Sequence, residues 1–487
     1  MAQGTKRQSS QNLIGYTAAM YAVRLLPLLK ATVVAAILGP TDYGLIALFA
    51  LCLSYAAYLD LGVFHGQNRE IPLHNGRGET ETAGEIARAA QAVTLLGAAA
   101  ATAILVLASV LSNYLGQPTS SVFILSLALA VVAQQAALYR VSLCYAEMRF
   151  ALQATALTVG AVVDGAGVIC IVAIFGVEAG LAAMSVGFVV QYMVLRRGLG
   201  RVLRPSWNLR WMRRLIAVGL PIEMVWLANT NLVGVDKLVA LVGFDQTALG
   251  LYSLAAAAGT MVMVGPAAVA AYMAPRLTEA LGRHGATPFV MERMWVTVAT
   301  VSALAGLTAG VLLVLVPWTT RTLLPEYVAA LEPARLLIVA SALLSTLMPI
   351  ATVMVGLGRQ WVLVAVYTLN AAVNLMVDIV LVVAGAELWG IAAASAVSYL
   401  WLLLAVHVLA ARESPRGSAA LVGRESRRVL QTVGLGCALG FGVSVGLEDE
   451  LAGSVIASLA AGAAVGAVMS PPCLRGLRRV ATLAAAP

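Results

Sequence analysis

Between Met294 and Trp318 the chain reads MWVTVATVSALAGLTAGVLLVLVPW, 25 residues without a formal charge. As a helix this run is about 37 Å long, enough to cross a hydrocarbon core of about 30 Å. Runs of the same kind recur on both sides of it. They lie at 13–38, 44–64, 86–111, 120–142, 151–174, 178–196, 215–241, 247–272, 328–355, 361–384, 387–411, 429–447 and 451–470. With 294–318 they predict fourteen transmembrane helices, an all-α polytopic membrane protein. Barrel strands, which alternate apolar and polar residues over about ten positions, are not found. Composition agrees: of 487 residues 61% are hydrophobic and 11% charged, against about 25% charged in a soluble protein.

The basic residues test the helix count. With the N-terminus placed in the cytoplasm, 26 of the 31 Lys and Arg fall in cytoplasmic segments, and the outer segments keep Arg321 and Arg335. The outer segments gather acids instead: Asp42, Glu178, Asp245, Glu326, Glu332, Glu387 and the run Glu448–Glu450. This is the positive-inside pattern, and it puts both termini inside. The net charge of +8 is therefore a topology signal, and no nucleic-acid partner is expected. Lys6 and Arg7 precede an apolar stretch without a small-residue cleavage site, so the first helix is expected to be retained. Cys52, Cys144, Cys170, Cys437 and Cys473 are scattered, with no metal-binding spacing. A P-loop is absent, so no ATP-driven engine is expected.

An internal repeat organises the helices. At a shift of 210, Thr158, Ala161, Val163, Gly180, Ala182 and Ser185 coincide with Thr368, Ala371, Val373, Gly390, Ala392 and Ser395, and Asp164 falls opposite Asn374. A shift of 207 pairs Lys30 with Lys237 and Arg69 with Arg276. The repeat unit is six helices, an even number, so both copies share one orientation; transporters built this way bind substrate between the halves. The expected divisions are a cytoplasmic tail 1–12, an N-lobe 13–196, a basic linker 197–214, a C-lobe 215–411, a basic loop 412–428, two further helices in 429–470 and a tail 471–487. Trp207 and Trp211 among the linker arginines suggest an interfacial segment.

Several short motifs carry a resemblance. Leu38-Gly39-Pro40-Thr41-Asp42-Tyr43-Gly44-Leu45, Leu59-Asp60-Leu61-Gly62-Val63 with Arg69-Glu70-Ile71-Pro72, Val235-Asp236-Lys237 and Gly250-Leu251-Tyr252-Ser253 resemble the polysaccharide exporters. These are the Wzx-type, O-antigen flippase group of the multidrug/oligosaccharidyl-lipid/polysaccharide (MOP) exporter superfamily. The resemblance spans residues 11–411 and implies two six-helix lobes, MATE-like, around a cavity that opens alternately to either side. It implies a lipid-linked oligosaccharide, on polyprenyl diphosphate, moved to the outer leaflet of a bacterial inner membrane. Membrane lipids and polysaccharide polymerase machinery are the implied partners. No bond is broken in such a task, so no enzyme activity, cofactor or metal is expected beyond coupling to H+ or Na+.

Ionisable residues within membrane helices usually face a cavity or a partner. Arg24, Lys30 and Lys237 are the candidate cations for a diphosphate headgroup; Arg24 could equally pair with Glu223. On helix 7 Glu223, Thr230 and Lys237 share one face, with Asp236 beside the lysine. On the eleventh helix Asn370, Asn374 and Asp378 recur every four residues. Their amides suit sugar hydroxyls or interhelical bonds alike. Asp164, and after it Asp378, is the candidate carboxylate for ion coupling. The rival readings are a drug or cation antiporter of the same superfamily, which predicts an acid-rich lumen, and a membrane enzyme acting on lipid-linked sugars. The outer loops, about ten residues at most, are too short to build a catalytic site.

Overall fold

The computed structural model describes residues 2–114, 120–200, 204–285, 287–413, 419–450, 464–465 and 475–477, with side chains from Leu26 onward except at 76, 112–113, 275, 282, 419–423, 426 and 445–450. The described chain is helical throughout. In order the helices are α1 (Ala2–Ala56), α2 (Val63–Gly76), α3 (Thr80–Tyr114), α4 (Ser121–Ala146), α5 (Phe150–Phe175), α6 (Val177–Leu199) and α7 (Leu209–Gly243). They continue as α8 (Gln246–His284), α9 (Pro288–Leu323), α10 (Leu331–Ser345), α11 (Met348–Gly356), α12 (Gln360–Val383), α13 (Leu388–Glu413) and α14 (Ala419–Glu450). Eleven stretches are long and apolar enough to cross a membrane among the described residues. One of them, Leu26–Ala56, is interrupted at Gly39, whose φ of 72° and ψ of 173° are not helical. Helix 1 thus ends there, as the sequence leads one to expect. The anticipated helix 13 lies within α14, and the anticipated helix 14 falls almost wholly outside the described residues.

Two anticipated helices are not continuous. The run 44–64 stops at Ala56 and resumes at Val63. Leu61 and Gly62 between them have φ of 54° and 78°, a left-handed turn that no α-helix passes through. The run 328–355 is a 3-10 turn followed by α10 and α11. Here Ser345 Oγ and Thr346 Oγ1 donate to the carbonyls of Ala342 and Leu343 at 2.8 and 2.7 Å. Such back-bonding bends a helix, and Pro349 in the first turn of α11 has no N–H to continue it.

The chain divides into two compact units, Met1–Leu38 with Asp42–Thr230 and Gly39–Thr41 with Asn231–Pro487. In the first, α2, α3 and α4 pack together and α6 lies against α4 and α5. Val63, Ile86, Leu195 and Leu215 are fully buried in its core. The broken segment is locked onto α7 at Gly62 and Gly219. A Cβ on Gly219 would stand 1.7 Å from the Gly62 carbonyl oxygen, so only glycine permits this approach. In the second unit α10 packs on α8 and α13, and α9 on α8 and α14. The contact of α14 with α9 is again backbone to backbone: Cβ atoms on Gly436 and Gly440 would fall 2.2 and 2.4 Å from the carbonyls of Gly306 and Gly310.

Gly219→Ala is expected to cost about 3 kcal/mol or more, because neither backbone can retreat. Gly265→Ala, where an added Cβ meets nothing within 4 Å, serves as the control. The yield and thermal unfolding of monodisperse protein measure the difference.

Candidate functional site

The second unit gathers its polar residues on the inner face of α12. Asn370, Asn374 and Asp378 are 2%, 3% and 0% exposed. Leu369, Val373 and Val380, from the other face, are at least half exposed. A four-residue spacing keeps the three polar side chains on one stripe, as read from the sequence. Opposite them α7 presents Asp236, which is 1% exposed. The Asn374 amide nitrogen donates to both acids, to Asp236 Oδ1 at 2.8 Å and to Asp378 Oδ2 at 3.1 Å. Tyr252 of α8 donates to Asp236 Oδ2 at 2.8 Å, and Ser395 of α13 donates to the same oxygen. Tyr399 donates to the Leu232 carbonyl at 2.6 Å, fixing α13 against α7.

Charge makes this cluster incomplete. Two buried carboxylates share one amide donor, and neither forms an ion pair with a Lys, Arg or His among the described residues. Burying two like charges side by side is prohibitive unless a proton or a cation joins them. Asn374 Oδ1 and Asp378 Oδ1 are buried without a hydrogen-bond partner. The available donors are all oxygens: two carboxylates, an amide carbonyl and a serine hydroxyl. That set suits a hard monovalent cation or a proton, and not a soft metal. No group of three His, Cys, Asp or Glu side chains able to hold a metal exists among the described residues. Ser395 and Tyr252 were not singled out as site residues from sequence; Ser395 is the repeat mate of Ser185 and Tyr252 lies in the Gly250-Leu251-Tyr252-Ser253 motif, which are the signals that mark them.

In the first unit Lys30 of α1 and Asp164 of α5 form an ion pair, Nζ to Oδ2 at 2.5 Å, with side chains 14% and 22% exposed. Asp164 is thereby supplied with a permanent counter-charge. The stripe on α7 divides. Glu223 lies 3.2 Å from His65 Nε2 and Thr230 hydrogen-bonds to the Tyr58 hydroxyl, both in the first unit. Lys237 belongs to the second unit, half-buried, and forms no ion pair among the described residues. The side chain of Arg24 lies outside the described residues.

Three comparisons with known proteins bear on this arrangement. The family described as "Polysaccharide biosynthesis protein" matches residues 33–316, more than half of the chain, and the chain belongs to that family. No curated protein sequence matches it. Among solved structures it is similar to the lipid II flippase MurJ, at a TM-score of 0.70 and 12% identity over 95% of this chain and 99% of that one. It is also similar to a multidrug resistance MATE transporter of the MOP superfamily, at 0.61 and 14% identity over 84% and 96%. A Vibrio cholerae MATE transporter matches at 0.61 and 15% identity over 88% and 98%. The fold is therefore that of the MOP superfamily.

The Lys30–Asp164 pair generates a stability prediction. Asp164→Asn or Lys30→Met alone leaves a buried charge unmatched and is expected to cost about 3 kcal/mol, whereas the double substitution recovers most of it. Thermal unfolding of the four proteins in detergent gives the coupling; additive losses would mean the pair contributes nothing.

Proposed function

We propose that this member of the polysaccharide biosynthesis family is a flippase. It carries a lipid-linked oligosaccharide on polyprenyl diphosphate from the cytoplasmic to the outer leaflet of a bacterial inner membrane, by alternating access. Both termini are cytoplasmic, and the product feeds cell-surface polysaccharide assembly such as O-antigen or exopolysaccharide, alongside polymerase machinery. The protein breaks no bond and needs no cofactor beyond its coupling ion. The observation that carries the coupling is the pair Asp236–Asp378, bridged by Asn374 and without an ion pair to a Lys, Arg or His among the described residues. A sodium ion or proton bound there joins two helices that otherwise repel.

Headgroup transfer uses the cations. A diphosphate leaves water at high cost, and fixed positive charges in a confined passage offset it. Arg24, Lys30 and Lys237 fill that role in this reading. Lys30 is held by Asp164 at 2.5 Å, so the diphosphate competes with a carboxylate for the ammonium. That competition limits affinity and lets the headgroup go. Lysine offers a mobile point charge, which suits release better than the bidentate grip of arginine. The likeness to MATE transporters supports drug or cation antiport as the second reading; it predicts drug sensitivity on deletion, and no accumulated lipid intermediate.

Deletion of the gene is expected to accumulate a lipid-linked oligosaccharide in the inner leaflet. Lys30→Ala and Lys237→Ala are expected to restore less than a tenth of wild-type export in complementation, with arginine at either position restoring part. Full export by both alanine variants at normal expression would remove the cationic passage. For the ion, purified protein is expected to unfold at a higher temperature in sodium than in choline, by the equivalent of about 2.7 kcal/mol at a hundredfold excess over Kd. Asp378→Asn should abolish that increment, and an unchanged increment would place the ion elsewhere. For topology, a cysteine at Gln246 is expected to be labelled from outside and one at Ser206 from inside.

A further inference from the structure

The break between α1 and α2 holds a second group of ionisable side chains, which the cation cluster does not use. Asp60 is 1% exposed. Its Oδ2 accepts the Phe64 N–H at 2.8 Å, while its Oδ1 is buried without a hydrogen-bond partner. The charged groups that act on it are Glu223 of α7 and His65 of α2. The Glu223 side chain is 7% exposed and touches His65 Nε2 at 3.2 Å; the imidazole itself is 33% exposed. Tyr58 adds a hydroxyl engaged by Thr230 and by the Trp226 carbonyl. From α4 the break receives the neutral amides of Gln134 and Gln135, and from α3 the bare Gly97 against the Leu59 carbonyl.

Nothing in this group resembles a metal shell. One carboxylate caps a helix and the other is taken by an imidazole. The species such a set exchanges is a proton.

We propose that Asp60, Glu223 and His65 form a proton-binding site in the first unit, separate from the cation cluster of the second. The proton enters at His65, the accessible member, crosses the 3.2 Å contact to Glu223 Oε2 and is then shared between Glu223 and Asp60 Oδ1. No bond other than those to the proton changes. In the proton-free state two buried acids oppose each other; with the proton bound, Asp60 Oδ1 turns from a bare acceptor into a donor. The output is mechanical. Asp60 also caps the start of α2, and a neutral carboxyl accepts the Phe64 N–H less strongly than a carboxylate. Because Gly62 and Gly219 touch without slack, a shift of the break moves α7, where Pro221 has already removed one helical hydrogen bond.

That the proton drives transport rests on the flippase reading above; that it binds does not. Infrared difference spectra of the intact protein in lipid nanodiscs, recorded while pH is stepped in sodium-free buffer, read the site directly. A variant carrying Asp236→Asn and Asp378→Asn, which removes the acids of the second unit, is expected to show a protonated-carboxyl band that titrates, and adding Asp60→Asn to it is expected to remove that band. Glu223→Gln and His65→Gln are each expected to displace it by about tenfold in proton concentration. An identical band once Asp60→Asn is added, or one indifferent to both other substitutions, overturns the proposal. Should Asp60→Asn fail to fold, His65→Gln, at a partly exposed position, still decides. Failure of the export assay for the flippase reading leaves this spectrum unaffected, so the two failures are distinguishable.

Discussion

An ion held in hydrocarbon must be met by an opposite charge, by a proton or by several hydrogen-bond donors, since leaving it bare costs several kcal/mol. In a chain with 11% charged residues each membrane-embedded charge is therefore an architectural decision. Lys30 answers Asp164 and ties α1 to α5. Asp236 draws donors from α8, α12 and α13 at once, so one carboxylate on α7 fixes the mutual position of three neighbouring helices. The apolar surface, which faces lipid on one side and protein on the other, discriminates far less between packings.

The backbone obeys the same rule. Hydrocarbon offers no water to an interrupted helix, so an interruption survives only where the protein supplies the missing partners. At the break after Ala56 the side-chain amides of Gln134 and Gln135 donate to the carbonyls of Leu53 and Ala56, and Asp60 receives the first free N–H of α2. This is why a polar cluster, a left-handed turn and a glycine contact coincide there. A break that needs so many partners is held in one conformation by them, and it responds when one of them changes charge.

Much of this was legible in the residues. The all-helical membrane fold followed from runs such as Met294–Trp318, because a bilayer fixes the length a helix must have. The stripe Asn370, Asn374, Asp378 was readable because a four-residue spacing defines a face wherever the helix lies. What periodicity could not give was pairing across helices. The repeat set Lys30 against Lys237 and Asp164 against Asn374, yet no spacing says that Lys30 reaches Asp164, or that Asn374 bridges two acids. The breaks at 57–62 and at 346–347 were equally hidden: hydropathy is continuous across both, and what interrupts the helices is φ at Leu61 and Gly62 in one case and hydroxyl back-bonding in the other.

The two copies of the repeat have resolved the same electrostatic problem in opposite ways. In the first, the ammonium of Lys30 sits on Asp164, and the acid needs nothing from outside. In the second, Lys237 leaves its acids unpaired, Asn374 stands where Asp164 would, and the carboxylates appear one turn along at Asp378 and across the interface at Asp236. The first arrangement is complete within the protein, whereas the second, in the reading proposed above, takes an exchangeable positive species. Its affinity for that species is set by competition. Tyr252, Ser395 and Asn374 already hydrogen-bond to Asp236, so the carboxylate is partly stabilised before any cation arrives and keeps part of that stabilisation after it leaves. An acid without those donors would hold its ion too tightly to turn over. An acid with a lysine in contact would not bind one at all. In the reading proposed above, the second unit lies between these limits.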